Sequence, residues 1–210
     1  MQIKIPVRNF KCSESLKPHL VDIFEGEYDV PLRLFNPIVL DCGANVGAFS
    51  IWACHRFPGA KVYAYEPNPI ACKAYNENTK GYNVHLTPQA VGEPGWRVFY
   101  HGVNNLGEAS FYKGSGVTSD LGFHTEALSP TVMPVADIIK IDTEGCEEEI
   151  LRPLIEAGRS FKAVMLEYHR VNDRRILDDL LKDYIFVGAK VFSSGRGVVL
   201  YIHKDWIGDL

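Results

Sequence analysis

The chain has 210 residues, 46% of them hydrophobic, and a formal net charge of -4 at pH 7. This length supports one well-cored domain over residues 1–210, and the acidic balance disfavours nucleic acid as a partner. The five cysteines form no C-x-x-C pair, the first residues lack the apolar stretch of a signal peptide, and no apolar run approaches the roughly 18 residues of a membrane span. We therefore expect a soluble cytoplasmic protein with no membrane partner.

Residues 1–37 form a lead-in segment before the main α/β pattern. A helix is predicted over residues 15–25, because apolar side chains recur at helical spacing at Leu16, Leu20, Val21 and Phe24. Pro18 lies in the first turn of this helix, where proline is tolerated.

From residue 38 the chain alternates short apolar runs with helical segments. Strands are predicted over residues 38–42, 61–66, 82–87, 136–142 and 161–168. Helices are predicted over residues 46–56, 69–78, 147–157 and 173–182. This alternation predicts a parallel sheet with helices on both faces.

Two segments depart from that alternation. Residues 92–130 are rich in glycine and aromatic side chains, and we predict a strand pair followed by a mobile loop. Residues 184–192 and 197–203 are apolar and joined by only four residues, which predicts an antiparallel hairpin at the end of the sheet.

The first strand-to-helix turn, within VLDCGANVGAF, is typical of a nucleotide-binding loop. Its glycines, Gly43 and Gly47, are separated by three residues, so the G-x-G-x-x-G pattern of dinucleotide loops is incomplete. The Gly-Lys-Ser/Thr of a P-loop is also missing, which argues against a triphosphate. The glycines are equally compatible with a tight turn and close helix packing alone.

Acidic residues stand at the ends of three predicted strands. Asp41 lies near the end of the first strand, Glu66 and Asp142 end the second and fourth strands, and Glu144 lies just beyond the fourth. Carboxylates repel phosphate but suit ribose hydroxyls, an ammonium group and a sulfonium, all of which S-adenosylmethionine carries. We expect Glu66 to accept hydrogen bonds from both ribose hydroxyls. Asp41 and Gly43 should then lie under the methionine part, and residues 89–91 should border the adenine. The candidate cofactor-binding residues are Asp41, Gly43, Asn45, Gly47, Glu66, Pro67, Asn68, Gln89, Ala90 and Val91.

Several motifs together resemble the FkbM family of class I S-adenosylmethionine-dependent methyltransferases. They are GEYDV, VLDCGANVGAFS, VYAYEPNP, AVGEPG, NNLGEAS, KIDTEGCEEEIL and MLEYH, which together span most of the chain. The resemblance implies a Rossmann-like sheet of seven strands in the order 3-2-1-4-5-7-6, with the seventh strand antiparallel. It also implies methyl transfer, most often to a hydroxyl of a sugar, polyketide or other small metabolite.

Transfer to a hydroxyl requires in-line alignment of donor and acceptor and removal of a proton. Candidate catalytic residues are His169, Glu144 and Asp142, with Asp142 near the transferred methyl and the other two on the acceptor side. Glu167 is a further candidate base, or a simple partner of His169. These groups could also bind a divalent cation, but their spacing is not diagnostic and no metal is predicted. Glu147, Glu148 and Glu149 are interpreted as stabilising a helix start through its dipole.

The predicted function is S-adenosylmethionine-dependent O-methylation of a small-molecule acceptor by in-line transfer. Two alternatives stay open from the sequence. One is an NAD-dependent oxidoreductase on a similar sheet, and the other is a non-catalytic module that binds the cofactor.

Overall fold

The computed structural model describes residues 9–101, 109–110 and 122–209. Its strands are β1 Ile38–Cys42, β2 Lys61–Tyr65, β3 Val84–Thr87, β4 Ala90–Val91, β5 Gly95–His101, β6 Ala109–Ser110, β7 Gly122–Leu128, β8 Ile138–Ile141, β9 Ala163–Tyr168, β10 Tyr184–Ser193 and β11 Arg196–His203. Its α-helices are α1 Lys17–Phe24, α2 Ala48–Arg56, α3 Pro69–Asn78, α4 Glu147–Glu156 and α5 Val171–Leu180. Short 3₁₀ helices cover Glu14–Leu16, Pro130–Val132 and Lys204–Asp209.

Seven strands form the main sheet in the order β3-β2-β1-β8-β9-β11-β10. The pairs from β3 to β9 are parallel, whereas β11 runs antiparallel to both β9 and β10. When only the seven strands of this sheet are numbered in chain order, the order is 3-2-1-4-5-7-6, as predicted. The predicted Rossmann-like sheet and its C-terminal hairpin are therefore confirmed.

Alternate residues along the central strands bury their side chains on opposite faces of the main sheet. Val39 and Ile138 belong to a core cluster with Phe49 and Trp52 of α2. Their neighbours Leu40 and Ile139 belong to a second cluster, which includes Ile150, Leu151 and Leu154 of α4 and Leu177 of α5. Because both faces are covered by helices, the central strands read as nearly continuous apolar runs.

Residues 90–128 contribute a separate small sheet in the order β4-β7-β5-β6. Strands β5 and β7 pair antiparallel from Gly95 with Ala127 to Tyr100 with Gly122. The loop predicted after the strand pair falls largely on residues 102–108 and 111–121, which lie outside the described residues.

Helix α2 begins later than the predicted residue 46. Asn45 and Gly47 adopt φ angles of 46° and 91°, in the left-handed region, so the helix begins only at Ala48. Helix α3 begins at the predicted residue because Asn68 caps it: its side-chain oxygen accepts hydrogen bonds from the amides of Ile70 and Ala71. Pro69 occupies the first helical position, where its missing N–H costs nothing.

None of the helices in the described ranges combines the length and the apolar character that crossing a membrane requires.

Candidate functional site

A cavity of about 630 Å³ lies at the carboxyl ends of β1, β2 and β8. Among the residues that line it are Gly43, Asn45, Glu66, Pro67, Asn68, Ala90, Val91, Asp142 and Glu144. We call this space the first cavity. It brings together seven of the ten candidate cofactor residues.

The loop after β1 approaches the end of β8 very closely at Gly43. A Cβ atom at this position would lie 1.7 Å from the carbonyl oxygen of Asp142, and the φ angle is +79°. Both facts require glycine here. The carbonyl oxygen of Gly43 in turn accepts a hydrogen bond of 2.7 Å from Nζ of Lys140. The loop is therefore anchored to β8 from two sides.

Glu66 is a buried carboxylate that lines the first cavity, with only 7% of the residue exposed. Its Oε2 accepts a hydrogen bond from the amide of Asn45 and its Oε1 from the amide of Asn68, both at 2.8 Å. Burial raises the pKa of Glu66 to about 6, and these two amide contacts partly offset that shift. Each oxygen retains a lone pair for another donor.

Three of the candidate cofactor residues do not line the first cavity. Asp41 is fully buried beneath the loop, where it accepts a hydrogen bond from the hydroxyl of Ser50 and pairs with Lys140 at 3.2 Å. Gly47 faces Tyr75 and Thr79 of the α3 region. The side chain of Gln89 donates a hydrogen bond to Glu126 on β7. We therefore assign these three residues to support of the loop and its surroundings.

A second cavity, of about 740 Å³, adjoins the first on the side of α1 and the hairpin. Gly43, Asn45, Asp142 and Glu144 line both cavities. The wall of the second cavity includes Leu16, His19, Leu20, Ile23, Glu27, Tyr28, Glu167, Phe192 and Arg196. Asp142 and Glu144 thus stand where the two spaces meet.

The predicted catalytic residues form one charged cluster at the ends of β8 and β9. Nε2 of His169 lies 3.1 Å from Oε2 of Glu144 and 3.5 Å from Oε1 of Glu167. Arg196, from the start of β11, pairs with Glu167 and also lies 3.4 Å from Oε1 of Glu144. Asp142 is 3.8 Å from Nζ of Lys140.

This cluster shifts the pKa values of its members in opposite directions. Burial, reinforced by the charge of Glu167, raises the pKa of Asp142 to about 7. Burial also disfavours charge on Glu167, but His169 and Arg196 outweigh it and lower the pKa of that carboxyl to about 2. For His169, burial opposes the positive charge, yet the contacts with Glu144, Glu147 and Glu167 raise its pKa well above the ordinary value.

His169 lines neither cavity, although the sequence suggested it as a base. Its side chain is only 11% exposed, and both ring nitrogens face carboxylates. The imidazole is therefore placed behind Glu144 and Glu167, with a carboxylate between Nε2 and the cavity.

Glu147 is a member of this cluster that sequence reasoning missed. It is the first residue of α4, 1% exposed, and its Oε1 lies 3.0 Å from Nδ1 of His169. The same oxygen accepts a hydrogen bond from the amide of Gly145. The neighbouring acids behave differently: Glu148 pairs with Arg152 and Glu149 with Arg97. Nothing in the run of three glutamates at the start of α4 indicated this role.

Asp142, Glu144 and His169 each offer a potential ligand atom, and these atoms lie within 4.8 Å of one another. Two carboxylates and an imidazole can bind a divalent cation. In this arrangement, however, Nε2 of His169 is already paired with Glu144. A cation bound by all three groups would have to enter between these two atoms and replace their direct contact.

The known proteins to which this chain is similar are methyltransferases. A model of the methyltransferase FkbM domain matches residues 41–186, a segment that contains every candidate cofactor and catalytic residue. The hexuronic acid methyltransferase AglP of Haloferax volcanii is 27% identical over 177 residues, which cover 75% of this chain and 69% of that protein. The methyltransferase sdnD of Sordaria araneosa is 37% identical over 51 residues, which cover 24% of this chain and only 20% of that protein.

Among solved structures, the precorrin-6y C5,15-methyltransferase of Geobacter metallireducens superposes with a TM-score of 0.57 and 15% identity. The superposition covers 96% of this chain and 99% of that one. At this level of identity the likeness concerns the fold, which is the class I Rossmann-like methyltransferase fold.

Proposed function

Because this chain belongs to the FkbM methyltransferase family, we propose that it transfers the methyl group of S-adenosylmethionine to a hydroxyl of a sugar or another small metabolite. When bound, S-adenosylmethionine supplies a methyl group activated by a positively charged sulfur. The protein must hold the nucleoside, direct the sulfonium toward the acceptor and receive the acceptor's proton.

The position of Glu66 is the observation that supports this proposal most directly. Its buried carboxylate lies at the end of β2 and lines the first cavity, with one lone pair left on each oxygen for the two ribose hydroxyls. Pro67, Asn68, Ala90 and Val91 would surround the adenine side of the same cavity. These residues fit an adenosine without a phosphate group.

Charge at the junction of the two cavities favours a cationic donor. Asp142 and Glu144 line both spaces, and a sulfonium between them gains Coulombic attraction in a largely buried setting. A pyrophosphate in the same place meets carboxylates instead. This charge pattern supports S-adenosylmethionine over the alternative cofactor NAD.

Asp142 is the group that we propose as general base. Its pKa of about 7 is matched to proton transfer near neutral pH, whereas the carboxyl of Glu167 is too acidic for efficient transfer. Asp142 accepts the proton that the acceptor hydroxyl loses as its oxygen bonds to the methyl carbon. With S-adenosylmethionine bound, its sulfur would take up the electrons of the carbon–sulfur bond, so that Asp142 needs only to hold the proton of the hydroxyl.

The second cavity is the proposed acceptor site. Its wall combines apolar side chains of α1 with Phe192 and Arg196 of the hairpin. Hydroxyl-rich molecules are suited to such a mixture, since carboxylates and a guanidinium bind hydroxyls while apolar groups cover C–H surfaces. A small-molecule acceptor, rather than nucleic acid, fits a recess of this kind.

Titration calorimetry with S-adenosylmethionine, S-adenosylhomocysteine and NAD tests the cofactor. We expect the first two to bind and NAD not to bind, and NAD binding alone would refute the proposal. Incubation with S-adenosylmethionine and a panel of hexosides, hexuronic acids and phenols, followed by mass spectrometry, tests the reaction. A gain of one methyl group on oxygen supports O-methylation, and binding without transfer to any acceptor favours a non-catalytic module.

A further inference from the structure

Glu147 and His169 form a buried pair behind the acceptor side of the site. The carboxylate of Glu147 contacts Nδ1 of His169 at 3.0 Å and accepts a hydrogen bond of 2.9 Å from the amide of Gly145. Because Glu147 is 1% exposed, solvent does not compete for these contacts. A carboxylate at Nδ1 fixes the orientation of the ring and directs Nε2 toward Glu144.

Glu144 receives support on both oxygens of its carboxylate. Nε2 of His169 lies 3.1 Å from Oε2, and Nη2 of Arg196 lies 3.4 Å from Oε1. The backbone of Glu144 has a φ angle of 56°, an unfavourable conformation for a residue that is not glycine. Such a conformation persists only where surrounding contacts determine it.

We propose that Glu147 and His169 are positioning residues that hold the carboxylate of Glu144 at the junction of the two cavities, where Glu144 binds the acceptor hydroxyl. This inference rests on the proposed function, because it names the groups that align the acceptor for that reaction. His169 acts through Glu144 rather than on the acceptor itself. The chain of contacts runs from the start of α4, through the imidazole at the end of β9, to the turn after β8.

The charges around His169 explain why it suits this task. Glu144 follows β8, Glu147 begins α4, Glu167 lies on β9, and Asp173 on α5 interacts with the ring at longer range. The nearby cations Arg170 and Arg196 only partly balance these acids. A protonated imidazole carries a proton on each nitrogen, so that Nδ1 can donate to Glu147 while Nε2 forms an ion pair of 3.1 Å with Glu144.

Nuclear magnetic resonance of ¹⁵N-labelled histidine tests the first link without any acceptor. Substitution of His169 by Gln identifies its signals among the seven histidines. We expect the imidazole of His169 to be doubly protonated at pH 8 in the wild type. In Glu147→Gln the same imidazole should lose one proton at a lower pH than in the wild type. Glu148→Gln, whose side chain is partly exposed on the same helix turn and pairs with Arg152, is the matched control and should leave the signals unchanged. An unchanged ring in Glu147→Gln overturns the proposal.

Steady-state kinetics tests the second link with an acceptor that the panel identifies. For Glu147→Gln and His169→Gln we expect the acceptor KM to rise about 10-fold or more, with a smaller fall in kcat and an unchanged Kd for S-adenosylmethionine. Glu147→Asp should recover part of the loss, and it replaces Glu147→Gln if that variant does not fold. A fall in kcat of about 1,000-fold at constant KM would instead identify His169 as the base and overturn the proposal. If no acceptor is methylated, the proposed function fails while the histidine signals still decide this inference.

Discussion

Lys140 and Asp41 form an ion pair of 3.2 Å beneath the loop after β1, and both side chains are almost completely buried. Lys140 also donates a hydrogen bond to the carbonyl oxygen of Gly43, at the floor of both cavities. The pair therefore connects the stability of the central strands with the shape of the cofactor loop.

Substitution of Lys140 by Met should lower the free energy of unfolding by about 3–5 kcal/mol, because it leaves the charge of Asp41 buried without a partner. It should also weaken S-adenosylmethionine binding, since the carbonyl of Gly43 loses its donor. Denaturant unfolding and calorimetry measure the two effects. Lys204→Met, which removes a pair with Asp183 that is more than half exposed, is the control and should change neither. The double variant Asp41→Asn, Lys140→Met should recover part of the lost stability. If the double variant loses as much stability as Lys140→Met alone, an unpaired charge is not the cause.

Substitution of Glu66 by Gln should weaken S-adenosylmethionine binding about 10- to 100-fold, the value of one or two hydrogen bonds to a charged group. The wild-type protein should lose affinity as the pH falls through about 6, where Glu66 becomes protonated. The variant should lack that contribution to the pH dependence. Glu77→Gln on the exposed face of α3 serves as the control in the same calorimetric series. If both proteins show identical pH profiles, Glu66 does not bind the ribose as a carboxylate.

Asp142→Asn should separate activity from stability. The pKa of Asp142 lies near 7 in the folded protein, above the ordinary 3.8, so the folded state binds the proton more tightly than the unfolded state. The protonated carboxyl of Asp142 thus contributes to the free energy of unfolding. This contribution is fully present below pH 3.8 and is lost as the pH rises through 7. The variant should match the wild type near pH 4 and exceed its Tm at pH 8, while methyl transfer falls by about 100- to 10,000-fold. A variant that is less stable than the wild type at pH 8 contradicts the pKa assignment.

The second cavity should discriminate against acceptors that carry a carboxylate. Among its described lining residues, Glu27, Asp142, Glu144 and Glu167 are acids, and the cations Lys140 and Arg196 are both paired with acids of this cluster. A neutral hexoside should therefore give a higher kcat/KM than the corresponding hexuronic acid, by about 10-fold. Competition between the two in one reaction, read by mass spectrometry, measures the ratio. A preference for the hexuronic acid, the acceptor class named for AglP, would show that Arg196 leaves its acidic partners to bind substrate.

Methyl transfer should not depend on a divalent cation. Nε2 of His169 pairs with Glu144 among the three potential ligands, so a metal ion would have to break this ion pair and take the place of the proton on Nε2. Treatment with a chelator, followed by addition of Mg²⁺, should leave the rate unchanged. A rate that is lost with chelator and restored by Mg²⁺ would assign Asp142, Glu144 and His169 to a metal site.

Local signals in the sequence were sufficient for most of the sheet. Strand β1 and helix α3 have the predicted bounds, because an apolar run and the Asn68-Pro69 cap determine them locally. The start of α2 differed, since positive φ angles at Asn45 and Gly47 depend on how the loop contacts β8 and α3.

The charged cluster at the ends of β8 and β9 was harder to predict because its contacts join distant parts of the chain. Glu147 and His169 are 22 positions apart, and nothing in an acidic helix start indicates that one of three consecutive glutamates turns inward. The hairpin residue Arg196 meets Glu167 only because β11 inserts beside β9. Such partners follow from the strand order, which local patterns alone do not specify.

The close approach of Gly43 to the carbonyl of Asp142 also bears on the order of binding. The close contact prevents further approach, and a hydrogen bond of 3.0 Å from the amide of Asp142 to the carbonyl oxygen of Cys42 opposes separation, so the ends of β1 and β8 move together. A ligand that settles on the loop after β1 therefore also sets the position of Asp142, and an acceptor that moves Asp142 also moves the loop. Donor and acceptor should therefore change each other's affinity by equal factors, as reciprocal coupling through one shared backbone contact requires.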